Sequence, residues 1–561
     1  MRLDWIEAAK GSREADLVLK NGMVMNVFTN EFVKADVAVC GSTIVGVGDG
    51  YQGRTEVDMS GKYLVPGFID AHIHVESTML TPSEFALAAV PKGTTTVIAD
   101  PHEIANVCGI QGLKYMLSEA ENSPMNLFVM LPSCVPASDF DTGGTKLEAE
   151  DLVPFRTHPC VLGLGEMMNV PGVLGGDPRV YRKLECFEGG KADGHAPLLG
   201  GKGLQAYRLA GISTDHECSS GQEALEKLRA GFAVLVREGS GAHNLADIIA
   251  MVKAKGLGCS RLCFCTDDRH ADDILREGHI DSLIRKTIEL GIDPIESYKM
   301  ASYYPAQIYG LSRLGALSAG YQADIVVLNS FLNTDICEVY CKGQPAGKNP
   351  GFSPVPEDIF HTVHIGPICG EDLCLPLHRC EPPVAEVIPG QINTRLVYEK
   401  VFSKNGCFEP GGPYRKVAVV ERHRATGNVG LGIIKGLPVK GAVATTVAHD
   451  SHNVVVVGDN DEDMLLAIRE LERCEGGYTI VRRGKVLETL PLPIGGLMSS
   501  RSACEVAKQL EKMEEIFADM GIPEEIDPFH AMSFLTLPVL PEARITDRGM
   551  FDAVRFEYIT L

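Results

Sequence analysis

Between residues 67 and 315 the chain alternates eight times between a short β-rich run and a helical pattern, and few folds accommodate that alternation. The runs fall at 68–70, 95–99, 127–131, 160–164, 192–195, 211–214, 232–236 and 262–265. Helical spacing lies between them, for example over 82–90, 222–230, 245–255 and 282–290. Eight strand-then-helix units in about 250 residues match the size of a (β/α)₈ barrel with all strands parallel. A doubly wound open sheet is the competing arrangement, but no glycine-rich dinucleotide turn follows the first run. The expected fold is α/β, with a (β/α)₈ TIM-type barrel over 67–315 as the catalytic domain.

The flanks do not share that repeat. Residues 1–66 read as short strands and turns, among them the tight-turn pair Asn21-Gly22. Strand-like runs return at 323–328 and 336–340, so 1–66 plus 316–350 are expected to form one small β-sandwich interrupted by the barrel. Residues 350–385 read as a connection. A C-terminal α+β domain is expected over 386–561, with strands near 416–420 and 453–457 and helices at 461–473 and 503–520.

The 52 basic and 74 acidic side chains give a formal net charge of −22, which argues against nucleic acid or an anionic membrane as a partner. No run approaches the ~18–20 apolar residues of a membrane span. Residues 1–7 lack the apolar core of a secretory signal. The 17 cysteines show no paired C-x-x-C spacing. A reduced, cytoplasmic protein with free thiols is the expectation.

Chemistry in such a barrel sits where the strands stop. The first run ends in His72-Ile73-His74, and alternate residues of a strand face the same way. The fourth run leads to Glu166, the fifth to His195, the sixth to His216 and the eighth to Asp267. These six side chains converge on one face as a metal site. Imidazole and carboxylate without thiolate suit zinc, manganese or iron(II). Six ligands suggest two divalent cations, with Glu166 bridging ions ~3.5–4 Å apart. Asp267 is cast both as a ligand and as acceptor of the proton from the attacking water.

At this point the chain resembles the amidohydrolase superfamily, through the H-x-H pair, the later histidines and aspartate, and the stretches 305–311 and 315–327. Within it, the adenine deaminase family is most similar. Asp70-Ala71-His72-Ile73-His74-Val75-Glu76 with 77–80 resembles its first metal motif, and 93–107 its second-strand motif. Residues 448–453 and 495–499 resemble its C-terminal domain. The lysine found on the fourth strand of many amidohydrolases is replaced by Glu166, as in adenine deaminases. The resemblance implies that adenine and water give hypoxanthine and ammonia, in purine salvage, through attack of a metal-activated hydroxide on C6. It implies two divalent cations per subunit, with manganese ranked ahead of iron(II) and zinc, and a homo-oligomer, taken as a dimer.

Residues that would orient a neutral heterocycle are sought beside the ligands. Arg237, Glu238 and Ser240 after the seventh run are the candidates for binding substrate, and Glu217, beside His216, for a catalytic role. Asp100, His102 and Glu103 could bind an extra ion, support the ligands or cap the next helix, with support ranked first. His449, Asp450 and His452 form a polar cluster that either builds a turn or, as the resemblance suggests, closes the C-terminal domain over the barrel mouth. Two other readings stay open. One is a related amidohydrolase acting on a cyclic amide or N-acetyl group; the other is a catalytically silent scaffold, which would be expected to have lost ligands. The H-x-E and P-C-x-x-C zinc deaminases are set aside because the cysteine pair is missing.

Overall fold

The computed structural model describes residues 3–347, 354–389 and 393–561. Its centre is a barrel of eight parallel strands: β1 Phe68–Ile73, β2 Thr94–Ala99, β3 Asn126–Leu131, β4 Val161–Met167, β5 Lys191–Gly194, β6 Thr214–Asp215, β7 Ala233–Arg237 and β8 Leu262–Cys265. Neighbours from β1 to β5, and from β6 to β8, pair in register as parallel ladders. Ser213 N donates to Ala192 O at 3.1 Å and joins the two arcs. The circle closes where Asp267 N donates to His72 O and His74 N donates to Asp267 O, both at 3.0 Å. Every residue of β1, β2 and β7 is buried, as a strand covered on both faces requires. The sixth strand begins later than the expected 211–214 because Gly211, at φ +102°, still belongs to the turn that ends the preceding helix.

Two pieces of chain distant in sequence share one eight-stranded sheet beside the barrel. Tyr63–Pro66 runs antiparallel to Ile325–Ser330, so the strand leading into the barrel pairs with the one leaving it. The expected end of this unit at residue 350 lies outside the described residues.

The C-terminal part contains a second eight-stranded sheet, centred on Tyr414–Val420 and Val454–Gly458. Helix Asp461–Arg473 packs Met464, Ala467, Ile468 and Leu471 on one face of it, against Val454, Val456, Ala442 and Ala444. Asn460 caps that helix by accepting from Asp463 N. Helix Ala503–Met520 is opened by a Ser502–Glu505 capping box and closed by Gly521 at φ +80°. Residues 390–392, at the start of this part, lie outside the described residues.

Free thiols throughout do not hold as an expectation: Cys374 and Cys407 are bonded, with Cα atoms 6.1 Å apart. Leu377 N donates to Gly406 O and Phe408 N to Leu375 O, which aligns the two segments as antiparallel neighbours. Among the described residues no helix is long and apolar enough to cross a membrane.

Candidate metal centre

Each oxygen of Glu166, near the end of β4, faces imidazoles from strand ends on one side of the barrel. Oε1 lies 3.1 Å from His74 Nε2 and 3.8 Å from His72 Nε2. Oε2 lies 2.6 Å from His195 Nδ1 and 3.2 Å from His216 Nε2. Asp267 Oδ1 completes the first group, 3.3 Å from His72 Nε2 and 3.2 Å from His74 Nε2. The six side chains read from the strand ends thus come together, all with their ligand atoms out of solvent.

The donor set fits two cations. Both ring nitrogens of His72 are buried without a hydrogen-bond partner, and so is His216 Nδ1. Buried polar groups are rarely left so in a protein, and a cation at His72 Nε2 would satisfy one of them. The neighbours dispose the ligands for this. His74 Nδ1 donates to the Asp100 carbonyl at 2.9 Å, which leaves Nε2 as the lone-pair nitrogen facing Glu166 and Asp267. The Asp100 carboxylate accepts from Glu166 N at 2.8 Å. That approach needs Gly165, since a Cβ there would lie 2.2 Å from Asp100 Oδ2. Burial alone would raise the carboxyl of Glu166, but His216 and His195 hold it well below the usual range. Asp267 is likewise pulled well below its ordinary value against burial, by His216, His72, His74 and Arg237.

The remaining sequence candidates separate into three groups. Arg237, the last residue of β7, is buried with its guanidinium fully engaged. Nε donates to Asn244 Oδ1 at 3.1 Å, Nη2 to Glu217 Oε2 at 3.2 Å, and Nη1 to both Glu217 Oε1 and Asp267 Oδ2. Glu217 sits between this cation and the centre, 3.6 Å from His216 Nε2, on the wall of the central cavity. Glu238 instead meets Lys286 at 3.0 Å and Ser240 donates to Asp273 Oδ2 at 2.5 Å. The structure therefore does not gather Arg237, Glu238 and Ser240 into one edge that could read a purine. Arg237 points into the barrel, and the turn after it carries the other two toward the outer helices.

Asp100 supports Glu166 from behind, whereas His102 and Glu103 stand beside the six side chains on the wall of the central cavity. His102 Nδ1 is 3.5 Å from Glu166 Oε1 and 3.6 Å from Asp100 Oδ1. His74, His102 and Glu103 are close enough to hold an ion. Both oxygens of Glu103, however, are already taken by the C-terminal residues His449, through Nδ1 at 2.6 Å, and His452, through Nε2. His452 Nδ1 accepts from Ala448 N at 3.1 Å, so its proton is on the nitrogen facing Glu103. His449 and Asp450 line the central cavity together with Phe534 and Leu537, and Phe534 stacks on His449 at 4.5 Å. Helix Pro528–Leu535 lies so near the loop after β7 that a Cβ on Gly241 would meet the His530 ring at 1.8 Å. The C-terminal part therefore closes the barrel mouth.

The central cavity holds about 30 Å³ of free space. A second cavity of about 550 Å³ adjoins it, sharing Met168 and His195 and bounded by the loops after β3, β4 and β5 and by Val539 and Phe556. Asp268, Met168, Phe534 and Leu537 are wall residues that sequence reasoning missed. Asp268 could have been found as the neighbour of Asp267. Phe534 and Leu537 carry no local signal, because only the packing of two distant parts of the chain brings them there.

The amidohydrolase family model matches residues 63–347, and the model of the adenine deaminase C-terminal domain matches 391–557. An adenine deaminase of Desulfitobacterium hafniense (strain Y51) is 48% identical, over 98% of this chain and 97% of that protein. One from Clostridium acetobutylicum is 47% identical over 99% of both, and adenine deaminase 2 of Carboxydothermus hydrogenoformans is 44% identical over 99% and 98%. The chain belongs to the adenine deaminase family of the amidohydrolases.

Proposed function

We propose that the protein hydrolyses adenine to hypoxanthine and ammonia, serving purine salvage in the cytoplasm. The observation that carries this is the Glu166 carboxylate, with His72 and His74 near one oxygen and His195 and His216 at the other. Its support from outside the structure is the full-length similarity to proteins named adenine deaminase. His72, His74, Glu166 and Asp267 would hold one divalent cation and His195, His216 and Glu166 the second, manganese being the proposed metal. Bound there, two cations bring the pKa of a shared water toward neutrality.

The chain's own residues supply the rest. Asp267, kept ionised beside Arg237, takes a proton from the attacking water and returns one to the departing amine. Glu217, ionised through Arg237 and set on the cavity wall, orients the N1–C6 edge of the ring. Water adds across N1=C6, the C6–N bond to the amine breaks, and ammonia leaves with the transferred proton. The closed mouth excludes bulk water, and the larger cavity past Met168 and His195 is the route by which the purine arrives.

The test is ammonia release from adenine, adenosine, guanine and cytosine by the manganese-loaded protein. Activity on adenine alone is the expected result. Activity on adenosine but not adenine would overturn the substrate, and activity only on a cyclic amide would move the chain to another amidohydrolase reaction.

A further inference from the structure

We infer that His449, a residue of the C-terminal part, donates a hydrogen bond to a purine ring nitrogen and so completes a substrate site that the barrel leaves open. This rests on the adenine reading above and adds a residue to it. Three observations carry it. Glu103 fixes the ring: His449 Nδ1 donates to Glu103 Oε1 at 2.6 Å, and Glu103 is itself anchored by His452. Phe534 stacks on the imidazole at 4.5 Å with an interplanar angle of 27°, which removes its freedom to rotate. The other nitrogen, Nε2, is left on the wall of the central cavity, 3.9 Å from Asp268 Oδ2 and beyond hydrogen-bond distance of it.

A side chain held on one nitrogen by a buried carboxylate and on its face by an aromatic ring is preorganised, and only the free nitrogen is available for a ligand. With a carboxylate toward each nitrogen, Glu103 at Nδ1 and Asp268 facing Nε2, the ring is held as the cation with both nitrogens protonated, against the pull of burial, so Nε2 is also a donor. Asp268, held in turn by Ser77 Oγ, presents an acceptor beside it. Such a donor–acceptor pair matches a heterocycle edge that places a lone-pair nitrogen next to an N–H. Apart from the N1–C6 edge assigned above to Glu217, adenine has two edges of this kind, N3 with N9–H and N7 with the exocyclic amine. Glu103, bonded to His449 and His452 and 3.3 Å from His102 Nε2, acts through His449 and is a positioning residue.

The experiment compares the wild type with His449→Ala, His449→Asn and His449→Gln, all manganese-loaded, on adenine, 3-deazaadenine and 7-deazaadenine. The readout is kcat/KM, or Ki where an analogue is not turned over. An asparagine amide reaches about as far as Nδ1 and keeps the bond to Glu103, whereas a glutamine amide reaches toward the Nε2 position. A hydrogen bond involving a charged group implies a loss of about 10- to 150-fold for His449→Ala and His449→Asn on adenine, with partial recovery in His449→Gln. The decisive sign is coupling: for one of the two analogues the loss falls to within about twofold, because the nitrogen that His449 contacts is absent. Metal content stays at the wild-type level. If His449→Ala does not fold, the asparagine variant carries the test. Equal losses on adenine and both analogues, or no loss at all, overturn the inference while wild-type deamination of adenine stands. A wild type that releases no ammonia from adenine overturns both readings.

Discussion

Arg237 Nη1 donates to Asp267 Oδ2 at 2.8 Å, on the oxygen opposite the one that faces His72 and His74. One carboxylate is thus divided between a fixed cation and the His72–His74 pair, and the same guanidinium holds Glu217 through both of its oxygens. Removing it leaves two buried carboxylates without their counter-charge. Arg237→Met is expected to lower unfolding free energy by about 3–5 kcal/mol and kcat/KM by about 100-fold or more. Arg237→Lys does not restore activity, because an ammonium cannot serve both carboxylates and Asn244 from one planar fork. Urea unfolding and steady-state kinetics at saturating manganese check both.

Arg237 and the six converging side chains differ in how far the sequence discloses them. Those six side chains sit where β-rich runs stop, and in a parallel barrel that position fixes their direction, so their convergence was legible one strand at a time. The helices Leu245–Lys255, Asp461–Arg473 and Ala503–Met520 were legible to the residue, from apolar spacing and end signals. Arg237, Glu238 and Ser240 look like one polar loop in sequence, yet Arg237 is the inward end of β7 and the next two turn outward. The bond from Glu103 to His449 spans 346 residues and leaves no local trace. Nor does the stacking of Phe534, which depends on how two sheets dock.

Gly165 lets Asp100 approach the Glu166 amide. In Gly165→Ala the new methyl displaces the Asp100 carboxylate and with it the support of Glu166. Metal affinity is expected to fall about 10- to 100-fold, with recovery of kcat at high manganese. Titration of metal-free protein against a competing chelator measures the first effect, and the manganese dependence of the rate measures the second.

Lys227 Nζ lies 2.6 Å from Asp215 Oδ2, both fully buried behind His216. Burial pushes the Asp215 carboxyl up, but Lys227 and His216 outweigh it and the net displacement is downward. A depressed folded-state pKa stabilises the protein above the unfolded value of about 3.9 and is lost as pH falls through the folded value. Lys227→Met is therefore expected to be about 3–5 kcal/mol less stable at pH 7. The gap to wild type narrows as pH falls, first as the buried Asp215 carboxyl of the variant, without its lysine, takes up a proton and then, below about pH 4, as the wild-type ion pair is lost. Denaturant unfolding from pH 7 to pH 3 reads the difference.

His452 joins the C-terminal part to the barrel through Nε2 on Glu103, while its Nδ1 accepts from the Ala448 amide of the same part. Replacing it with alanine removes one of the two imidazole donors to Glu103 and leaves the Ala448 amide unpaired. Activity is expected to fall about tenfold or more, with stability lower by about 1–3 kcal/mol. Unchanged kinetics in His452→Ala would contradict the view that closure of the mouth serves the reaction.

The central claim is hydrolytic attack at C6 of adenine at the site around Glu166. Its most direct test is turnover in ¹⁸O-labelled water by protein reconstituted with two equivalents of manganese. The account predicts hypoxanthine carrying one ¹⁸O atom and an equal amount of ammonia, with neither product from the chelated protein. Unlabelled hypoxanthine, or no hypoxanthine from protein shown to hold two cations, would contradict it.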